Sequence, residues 1–392
     1  MVLGILSCSV YLKTTYRMRT NCYKRLGDYI REVNVRNRDL KVTKPMGINI
    51  DKHFMPSVAN VIGTDLSNYK LVSRRQFACN LMHVGRDEKI PMAIMESDNP
   101  IIVSPAYFVF EVSNPNILLP EYLMMWFSRK EFDRNAWFYT DADVRGGMDK
   151  DALLDMRLPI PSIERQREIV AEYETLSKRI RLNGQMISAL EATAQTLYLK
   201  MFVDGIDKEN LPDGWRMGKL SEIVNIIMGQ SPEGETYNTD GNGMIFYQGR
   251  TDFGRRYPTA RVYTTNPTRY AKIGDVLLSV RAPVGDINIA SHDCCIGRGL
   301  ASLRSKEECQ SYLYYQLYNL SNIFNVSDDE GTIFGSITKD DLHNIDIVIP
   351  SKSKMKEFEN HVSIIDNEIK LKDKEINILT ELQSVLLARM GR

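Results

Sequence analysis

The sequence of 392 residues has few of the side chains that build metal sites and disulfide frameworks. It contains six cysteines and five histidines and forms no Cys-x-x-Cys pair. Structural zinc sites need closely spaced thiolate and imidazole ligands, and small disulfide-rich domains need a dense cysteine pattern. We therefore expect no metal site and no disulfide framework.

Long apolar runs are also missing. The run IIVSPAYFVFEV (101–112) is among the longest, and it falls short of the roughly 20 residues needed to cross a bilayer. The apolar start MVLGILSCSV is followed by Lys13, Arg17 and Arg19, whereas a secretory signal carries its positive charges before the apolar stretch. The sequence predicts a cytoplasmic protein without a membrane span.

Net charge gives no indication of a partner. Fifty Lys and Arg residues balance fifty Asp and Glu residues, and 43% of the residues are hydrophobic, an ordinary composition for a soluble globular chain. Any nucleic-acid surface must therefore be a local patch. The length leaves room for two or three domains.

The motifs of the common DNA-modifying enzymes are absent as well. The Asn-Pro pairs continue as NPII, NPNI and NPTR, which do not match the Asn-Pro-Pro-aromatic motif of a methyltransferase, and no cofactor-binding glycine loop is found. GWRMGK (214–219) is one residue short of a phosphate-binding loop and is followed by Leu220 instead of Ser or Thr. We expect a non-catalytic chain that needs no cofactor.

What the sequence does contain is a repeat. LPIPSIERQREI (158–169) and IVIPSKSKMKEF (347–358) share an Ile-Pro-Ser junction between an apolar run and a charged amphipathic one. Pro161 and Pro350 define an offset of 189 residues (350 − 161) that continues without a gap from 146/335 to 201/390. Proline near a first helical turn and serine as a cap predict that a helix begins at each junction.

Both copies then carry a heptad pattern. Apolar residues recur at alternating spacings of four and three for more than four heptads, so each helix needs a partner along its length, and the other copy is the obvious one. Asn183 and Lys372 occupy matching polar positions in the pattern. The predicted seam residues are Ile169, Tyr173, Leu176, Ile180, Ile187, Leu190 and Leu197 in the first copy, and Phe358, Val362, Ile365, Ile369, Ile376, Leu379 and Leu386 in the second.

The segments before the two helices are mixed, with short β-branched and aromatic runs, many Gly and Pro residues, and one helical stretch each. These patterns divide the chain into an extension, two globular modules and two helical regions. The predicted boundaries are 1–20, 21–147, 148–214 with its linker, 215–336, and 337–392.

Several stretches resemble the specificity subunit of type I restriction-modification systems. They are GGMDKDALLDMRLPIPS (146–162) with its twin GSITKDDLHNIDIVIPS (335–351), the link LPDGW (211–215), GDVLLSVRAPVGDINIA (274–290) and IGRGLASLR (296–304). The first module departs from this pattern, since FACNLMHVGRDEKIPMAI stands where the second module has IGDVLLSVRAPVGDINIA.

The resemblance implies an α+β fold with two target recognition domains separated by two long helices in an antiparallel coiled coil, related by an internal pseudo-two-fold repeat. It also implies that each module reads one half of a gapped double-stranded DNA site. The helices would dock methyltransferase subunits and, through the complex, a restriction-translocation subunit.

Basic residues interleaved with aromatic ones are the best candidates for DNA contacts, since Arg can neutralise phosphate or hydrogen-bond guanine. The densest stretch is 249–272, and 74–89 is a looser counterpart in the first module. Arg281 is assigned either to DNA or to holding a turn. The candidates are Arg250, Arg255, Arg256, Tyr257, Arg261, Arg269, Lys272 and Arg281 in the second module, and Arg74, Arg75, Arg86 and Lys89 in the first.

Two alternatives stay open at this point. One is a coiled-coil scaffold that joins two protein-binding modules without binding DNA, although such a scaffold has no need for the Arg-rich stretch. The other is a stand-alone variant that serves a fused methyltransferase-nuclease.

Overall fold

The structure, a computed structural model, describes residues 23–57, 63–82, 84–140, 146–325 and 336–391. The predicted N-terminal extension, 1–20, lies outside the described residues. The chain forms two compact units: unit 1 combines 1–182 with 375–392, and unit 2 is 183–374. This division differs from the chain-order boundaries predicted above, because each unit takes in a module and segments of both long helices.

Unit 1 contains mostly three-residue strands, which suit a chain rich in Gly and Pro punctuation. Its strands are β1 (Tyr23–Arg25), β2 (Ile30–Glu32), β3 (Met46–Ile48), β4 (Phe54–Pro56), β5 (Lys70–Val72), β6 (Phe77–Cys79), β7 (Met92–Ile94), β8 (Ile101–Val103), β9 (Phe108–Val112) and β10 (Arg157–Pro159). Its short helices are α1 (Val84–Asp87), α2 (Pro120–Phe127), α3 (Lys130–Phe138) and α4 (Lys150–Asp155). The long helix α5 (Ile163–Phe202) begins in unit 1 and ends in unit 2.

Unit 2 has the same kinds of elements, with strands of two to six residues. Its strands are β11 (Arg216–Lys219), β12 (Val224–Met228), β13 (Tyr237–Asn238), β14 (Met244–Tyr247), β15 (Tyr263–Thr264), β16 (Tyr270–Ala271), β17 (Val276–Ser279), β18 (Ile287–Ile289), β19 (Cys294–Ile296), β20 (Leu300–Ser305) and β21 (Asp346–Ile349). Its short helices are α6 (Leu220–Ile223), α7 (Gln310–Asn325) and α8 (Lys339–Asn344), and the long helix α9 (Lys352–Arg389) begins in unit 2 and ends in unit 1.

One four-stranded antiparallel sheet has the same plan in both units. Its order is β2-β9-β6-β7 in unit 1 and β12-β20-β17-β18 in unit 2. In each case the second strand in the order leads into an apolar helix, α2 or α7. The units differ beside this sheet: unit 1 has the pairs β3-β4 and β5-β8, whereas unit 2 has the five-stranded sheet β13-β15-β14-β19-β16.

The repeated Ile-Pro-Ser junction has a structural explanation. The apolar run before it is a strand that pairs antiparallel with the opening strand of its own module, β1 with β10 (Tyr23 opposite Pro159) and β11 with β21 (Arg216 opposite Ile349). Proline then ends each pairing because it has no N–H to donate. The helices begin directly after Ser162 and Ser351. The junction therefore closes each module and starts its helix.

The predicted seam faces the interior along both helices. Every seam position named above is buried or half-buried, whereas most positions between them are exposed. In unit 1 the start of α5 (Ile169, Val170) and the end of α9 (Met390) share one core. In unit 2 the end of α5 (Tyr198) and the start of α9 (Phe358) share another. The two helices therefore pack antiparallel within each unit, as predicted.

Polar contacts between α5 and α9 help to fix the register of the two helices. In unit 1, Gln383 donates from Nε2 to Ser177 Oγ at 2.6 Å, and Arg179 pairs with Glu375 at 2.7 Å. In unit 2 the seam residue Asn183 is buried, and its Nδ2 has no hydrogen-bond partner among the described residues. A buried polar seam position costs stability and restricts the register.

Cys79, Cys294, Cys295 and Cys309 are buried free thiols. Among the described residues, His, Cys, Asp and Glu side chains do not gather in threes around any potential metal position. The described helices include none with the length and apolarity of a membrane span.

Candidate nucleic-acid interface

The Arg-rich stretch 249–272 includes β15 and β16 of the five-stranded sheet of unit 2. Several of its charges are neutralised within the protein. Arg250 Nε lies 2.5 Å from Asp286 Oδ2. Arg261 donates to Asp252 Oδ1 at 2.6 Å and to the Thr251 carbonyl at 2.7 Å. Both arginine side chains stay half-exposed. They hold the loop together in this structure, and a DNA contact would require each to exchange a carboxylate for a phosphate.

Arg255 faces α5. Its guanidinium donates to the Gly184 carbonyl at 3.1 Å and to Ser188 Oγ at 2.6 Å, and it lies 3.2 Å from Glu191 Oε2. The neighbouring Tyr257 is half-buried, and burial raises the pKa of its hydroxyl to about 12. Of these two predicted DNA contacts, Arg255 therefore binds residues of unit 2, and Tyr257 is partly covered by the protein.

Arg256 requires a correction. Its side chain is 1% exposed and its Nη2 lies 2.5 Å from Asp366 Oδ1 on α9. A guanidinium that is buried and paired in this way cannot reach a DNA backbone without leaving its site. Local charge density predicts a DNA contact at this position, because the density is the same whether an arginine points outward or inward.

Three of the predicted residues are exposed and have no ion pair among the described residues: Arg269, Lys272 and Arg281. Arg281 was also predicted to hold its turn, but the side chain that makes hydrogen bonds across this turn is Ser279. The Ser279 hydroxyl donates to the Pro283 carbonyl at 2.9 Å and accepts from the Asp286 amide at 3.0 Å. Arg281 is therefore available for an external ligand.

In the first module the predicted basic residues are exposed but paired with carboxylates. Arg74 pairs with Asp98 at 2.8 Å, and Arg75 forms a two-point contact with Glu121 at 3.0 and 3.2 Å.

The remaining two make weaker or more local pairs. Arg86 contacts its neighbour Asp87 at 2.7 Å, and Lys89 lies 4.0 Å from Asp51. Exposed pairs of this kind contribute about 0–1 kcal/mol each. Exchange with phosphate is therefore inexpensive, although the structure does not single out any of the four.

Sequence reasoning missed a cluster formed by three loop segments of unit 2. Gly297 and Gly299 flank Arg298, and a Cβ at either glycine would lie within 3.0 Å of the Gln248 carbonyl. The Gln230 amide donates to the Ile296 carbonyl at 3.0 Å.

Because glycine lets these backbones approach closely, Gln230, Gln248 and Arg298 emerge side by side. All three are exposed, with no side-chain hydrogen bond among the described residues. The stretch IGRGLASLR carries the family resemblance, but its local charge does not predict a DNA contact. Its Arg between two glycines was the signal that could have identified the cluster.

Comparison with known proteins bears directly on this site. The family described as "Type I restriction modification DNA specificity domain" matches residues 212–381. The putative type I restriction enzyme MjaX specificity subunit of Methanocaldococcus jannaschii is 30% identical over 335 residues, 81% of this chain and 77% of that protein. This chain belongs to the type I restriction enzyme specificity subunits.

Further relatives agree with this family. The type I restriction enzyme HindI specificity subunit of Haemophilus influenzae is 23% identical, covering 74% of this chain and 80% of that protein. The crystal structure of the type I restriction-modification system S subunit from M. genitalium has a TM-score of 0.59 at 12% identity, covering 96% of this chain and 98% of that one. That likeness supports the predicted fold: mixed helix and sheet in two units, with two long helices packed together.

In this specificity subunit, the family match includes the cluster around Arg298 and the free residues Arg269, Lys272 and Arg281. It also includes part of α9 and the second junction, so it spans both a module and the helix that carries it. The equivalent junction of unit 1 has the same strand pairing and helix start, which extends the plan of the matched half to the other half.

Proposed function

We propose that this chain is the non-catalytic, sequence-specific DNA-binding subunit of a type I restriction-modification complex. Each module would read one half of a gapped double-stranded target. The observation that carries the proposal is the family match to residues 212–381, together with the same sheet order and strand closure in both units. DNA as the ligand supports a cytoplasmic location.

The proposal is tested by expressing the chain with its methyltransferase subunit in a host without other methylation and mapping the methylated bases. A bipartite motif with an unspecified spacer is expected. The purified chain alone should transfer no methyl group from labelled S-adenosylmethionine and should not cut DNA. A scaffold that does not bind DNA would leave the methylation pattern independent of this chain.

The module boundaries 21–147 and 215–336 remain a proposal, and a module exchange tests them. Replacing the second module by that of another specificity subunit should change one half of the methylated motif and leave the other. The exchange is best made over 183–374, because Glu191 and Asp366 on the helices bind Arg255 and Arg256 of the module. A change in both halves would show that the modules do not read DNA independently.

For the second module we propose DNA contacts by the residues that are exposed and unpaired: Arg269, Lys272, Arg281, Arg298, Gln230 and Gln248. Arg and Gln side chains have the donor and acceptor geometry that reads guanine and adenine edges, and Lys neutralises phosphate. Arg298 takes the place of Arg256 in this set. Contacts by Arg250, Arg261, Arg74, Arg75, Arg86 and Lys89 stay predictions.

Two substitutions separate reading from positioning. Arg298→Ala should make one position of the methylated motif accept other bases, because about 1–3 kcal/mol of discrimination against the wrong base is lost. Lys272→Ala should weaken binding to all sites and lower the salt dependence by about 0.9 for each phosphate that is no longer neutralised. Arg304→Ala is a matched control, because Arg304 is bound within the protein to Asp275 at 2.5 Å, and it should leave the motif unchanged.

We propose that the methyltransferase subunit docks on exposed apolar positions of α9, and that the restriction-translocation subunit joins through the complex. In unit 1, Ile378, Leu382 and Val385 are about half-exposed or more, with spacings of four and three that place them on one helix face. In unit 2, Ile364 and Leu371 are 71% and 60% exposed and lie one heptad apart. An exposed apolar stripe of this kind indicates a partner surface.

Leu382→Glu with Val385→Glu should abolish co-purification of the methyltransferase subunit while leaving the chain folded. Glu381→Gln, on the same turn but outside the stripe, is the control. Unchanged co-purification by the double variant would place the docking surface elsewhere.

A further inference from the structure

The loop between β14 and β15 connects the second module to both long helices. At its base, buried Asn288 of β18 donates from Nδ2 to the Gly254 carbonyl and accepts from the Gly254 amide, both at 3.1 Å. The Ile289 amide donates to the Arg256 carbonyl at 2.8 Å. The backbone of the loop is therefore fixed to the four-stranded sheet before its side chains reach the helices.

Arg255 and Arg256 then bind the two long helices. Arg255 donates to Ser188 and contacts Glu191 on α5. Arg256 pairs with Asp366 on α9 and also lies 3.8 Å from Glu191. We call these five residues the helix clamp. One short loop thereby holds α5, α9 and the sheet of the module in a single arrangement.

Arg256 is enclosed by aromatic side chains. Its guanidinium carbon lies 4.3 Å from the centre of the Tyr314 ring, and its Nη1 donates to the Tyr315 hydroxyl at 3.3 Å. The Tyr315 hydroxyl donates in turn to Asp366 Oδ1 at 3.1 Å. Arg256 Nε has no hydrogen-bond partner among the described residues.

Such a buried ion pair is a poor source of stability, because removing two charges from water costs about as much as their attraction returns. An unsatisfied Nε adds to that cost. What the pair does provide is geometry, since rotation of the module on the helices would leave both charges buried without partners. The ion pair therefore contributes little to the stability of the fold, but it favours one orientation of the module on the helices.

We propose that the helix clamp is a positioning device that fixes the orientation of the second module on α5 and α9, and so restricts the spacer length accepted between the two half-sites. The clamp does not touch DNA. This inference rests on the proposed function, because it needs a gapped target, and it deepens that function by separating spacer discrimination from base reading.

The test uses the chain assembled with its methyltransferase subunit on a library of targets whose half-sites are constant and whose spacer varies. The variants are Arg255→Ala, which removes the half-exposed arm, and Arg255→Ala with Arg256→Met, which removes both. We expect the double variant to lower discrimination against a spacer changed by one base pair by about tenfold, or about 1.4 kcal/mol. The single variant should have a smaller effect in the same direction, and both should keep the half-site sequences.

Arg304→Ala is the control, since it breaks an ion pair inside the same module that does not reach the helices. If Arg304→Ala relaxes the spacer equally, the effect is general loosening and the clamp proposal is wrong. Unchanged spacer discrimination in the folded double variant also overturns it. If the double variant fails to fold, the single variant decides, and its unaltered spacer preference counts against the clamp.

The result with the wild-type complex distinguishes a failure of the clamp proposal from a failure of the proposed function. If that complex methylates no bipartite motif, the proposed function fails. A normal wild-type motif together with normal spacer discrimination in the variants defeats only the clamp.

Discussion

The two units attach similar modules to similar helices with different chemistry. In unit 1 the described hydrogen bonds between module and helices come from neutral groups. Gln166 of α5 accepts from the Leu119 amide at the start of α2 and donates to the Ile117 carbonyl, and Tyr23 donates to the Gly391 carbonyl at 2.8 Å. The buried ion pair of this unit, Lys52 with Asp133, lies within the module.

In unit 2 the attachment uses charge and aromatic rings. The Glu359 carboxylate of α9 accepts from the Ser311 and Tyr312 amides at the start of α7. The helix clamp adds two arginines, and Phe358 packs among aromatic rings that include Tyr198, Phe202 and Tyr312. The comparison shows that the shared sheet plan does not determine how a module is anchored. A module is therefore adapted to the helix segments on which it packs.

The largest expected difference between the units is in alkali. Burial raises the pKa of Tyr247, Tyr257 and Tyr314 to about 12 and also raises that of Tyr198, Tyr312 and Tyr315, all in unit 2. In unit 1 the pKa is raised by burial at Tyr122 and Tyr173. An unfolded tyrosine ionises near pH 10. The stabilisation is thus complete below about pH 10 and is lost as the pH rises through the folded values.

We therefore expect unit 2 to unfold at lower alkaline pH than unit 1. The buried thiols report on each unit separately: pulse alkylation with peptide mass spectrometry should label Cys294, Cys295 and Cys309 before Cys79. Labelling of Cys79 first would contradict the comparison.

The next effect is expected at the aromatic anchor of unit 2. Phe358→Ala removes a fully buried ring and should cost about 3–5 kcal/mol of unfolding free energy. Urea unfolding measures it, with thiol labelling to locate the loss in unit 2. Ile364→Ala, on an exposed position of the same helix, is the control and should change stability by less than about 0.5 kcal/mol. A comparable loss in both variants would mean that α9 as a whole, and not its buried face, had been weakened.

A smaller effect is expected at the neutral anchor of unit 1. Gln166→Ala removes three hydrogen bonds, to Leu119, Ile117 and Pro161, and leaves backbone groups without partners. We expect a loss of about 1–3 kcal/mol, measured by urea unfolding and confined to unit 1 by labelling of Cys79. Since the contact is uncharged, the loss should not depend on salt. A strong salt dependence would show that charge contributes to this anchor as well.

The smallest effect is expected at Glu359. Burial raises the pKa of its carboxyl above the ordinary value of 4.5, so the protonated form is favoured more in the folded protein than in the unfolded chain. Its contribution to stability is present at low pH and is lost as the pH rises through the folded pKa.

Glu359→Gln keeps an acceptor oxygen for the α7 amides and should change stability by less than about 1 kcal/mol. The wild type should lose stability relative to this variant as the pH rises above about 4.5, as measured by urea unfolding. If the stability of the wild type instead increases relative to the variant as the pH rises, the folded state favours the ionised carboxylate.

The sequence by itself determined the repeat, the two long helices, their seam and their start after Ser162 and Ser351. These features are local: heptad spacing, proline and capping serine act within a few residues of where they stand. One helical stretch was also predicted in each module, although the first is divided into α2 and α3 at Ser128 and Arg129.

Only the tertiary structure decided which arginines are free. Arg256 is neutralised by Asp366, 110 positions away in the sequence, and Arg250 by Asp286, 36 positions away. Arg298 lies beside Gln230 and Gln248 because the glycines on either side of it let two other loops approach closely. An arginine's charge is written in the sequence, but its partner is chosen by the fold, so local charge density cannot distinguish Arg256, which is buried and paired, from Arg269, which is exposed.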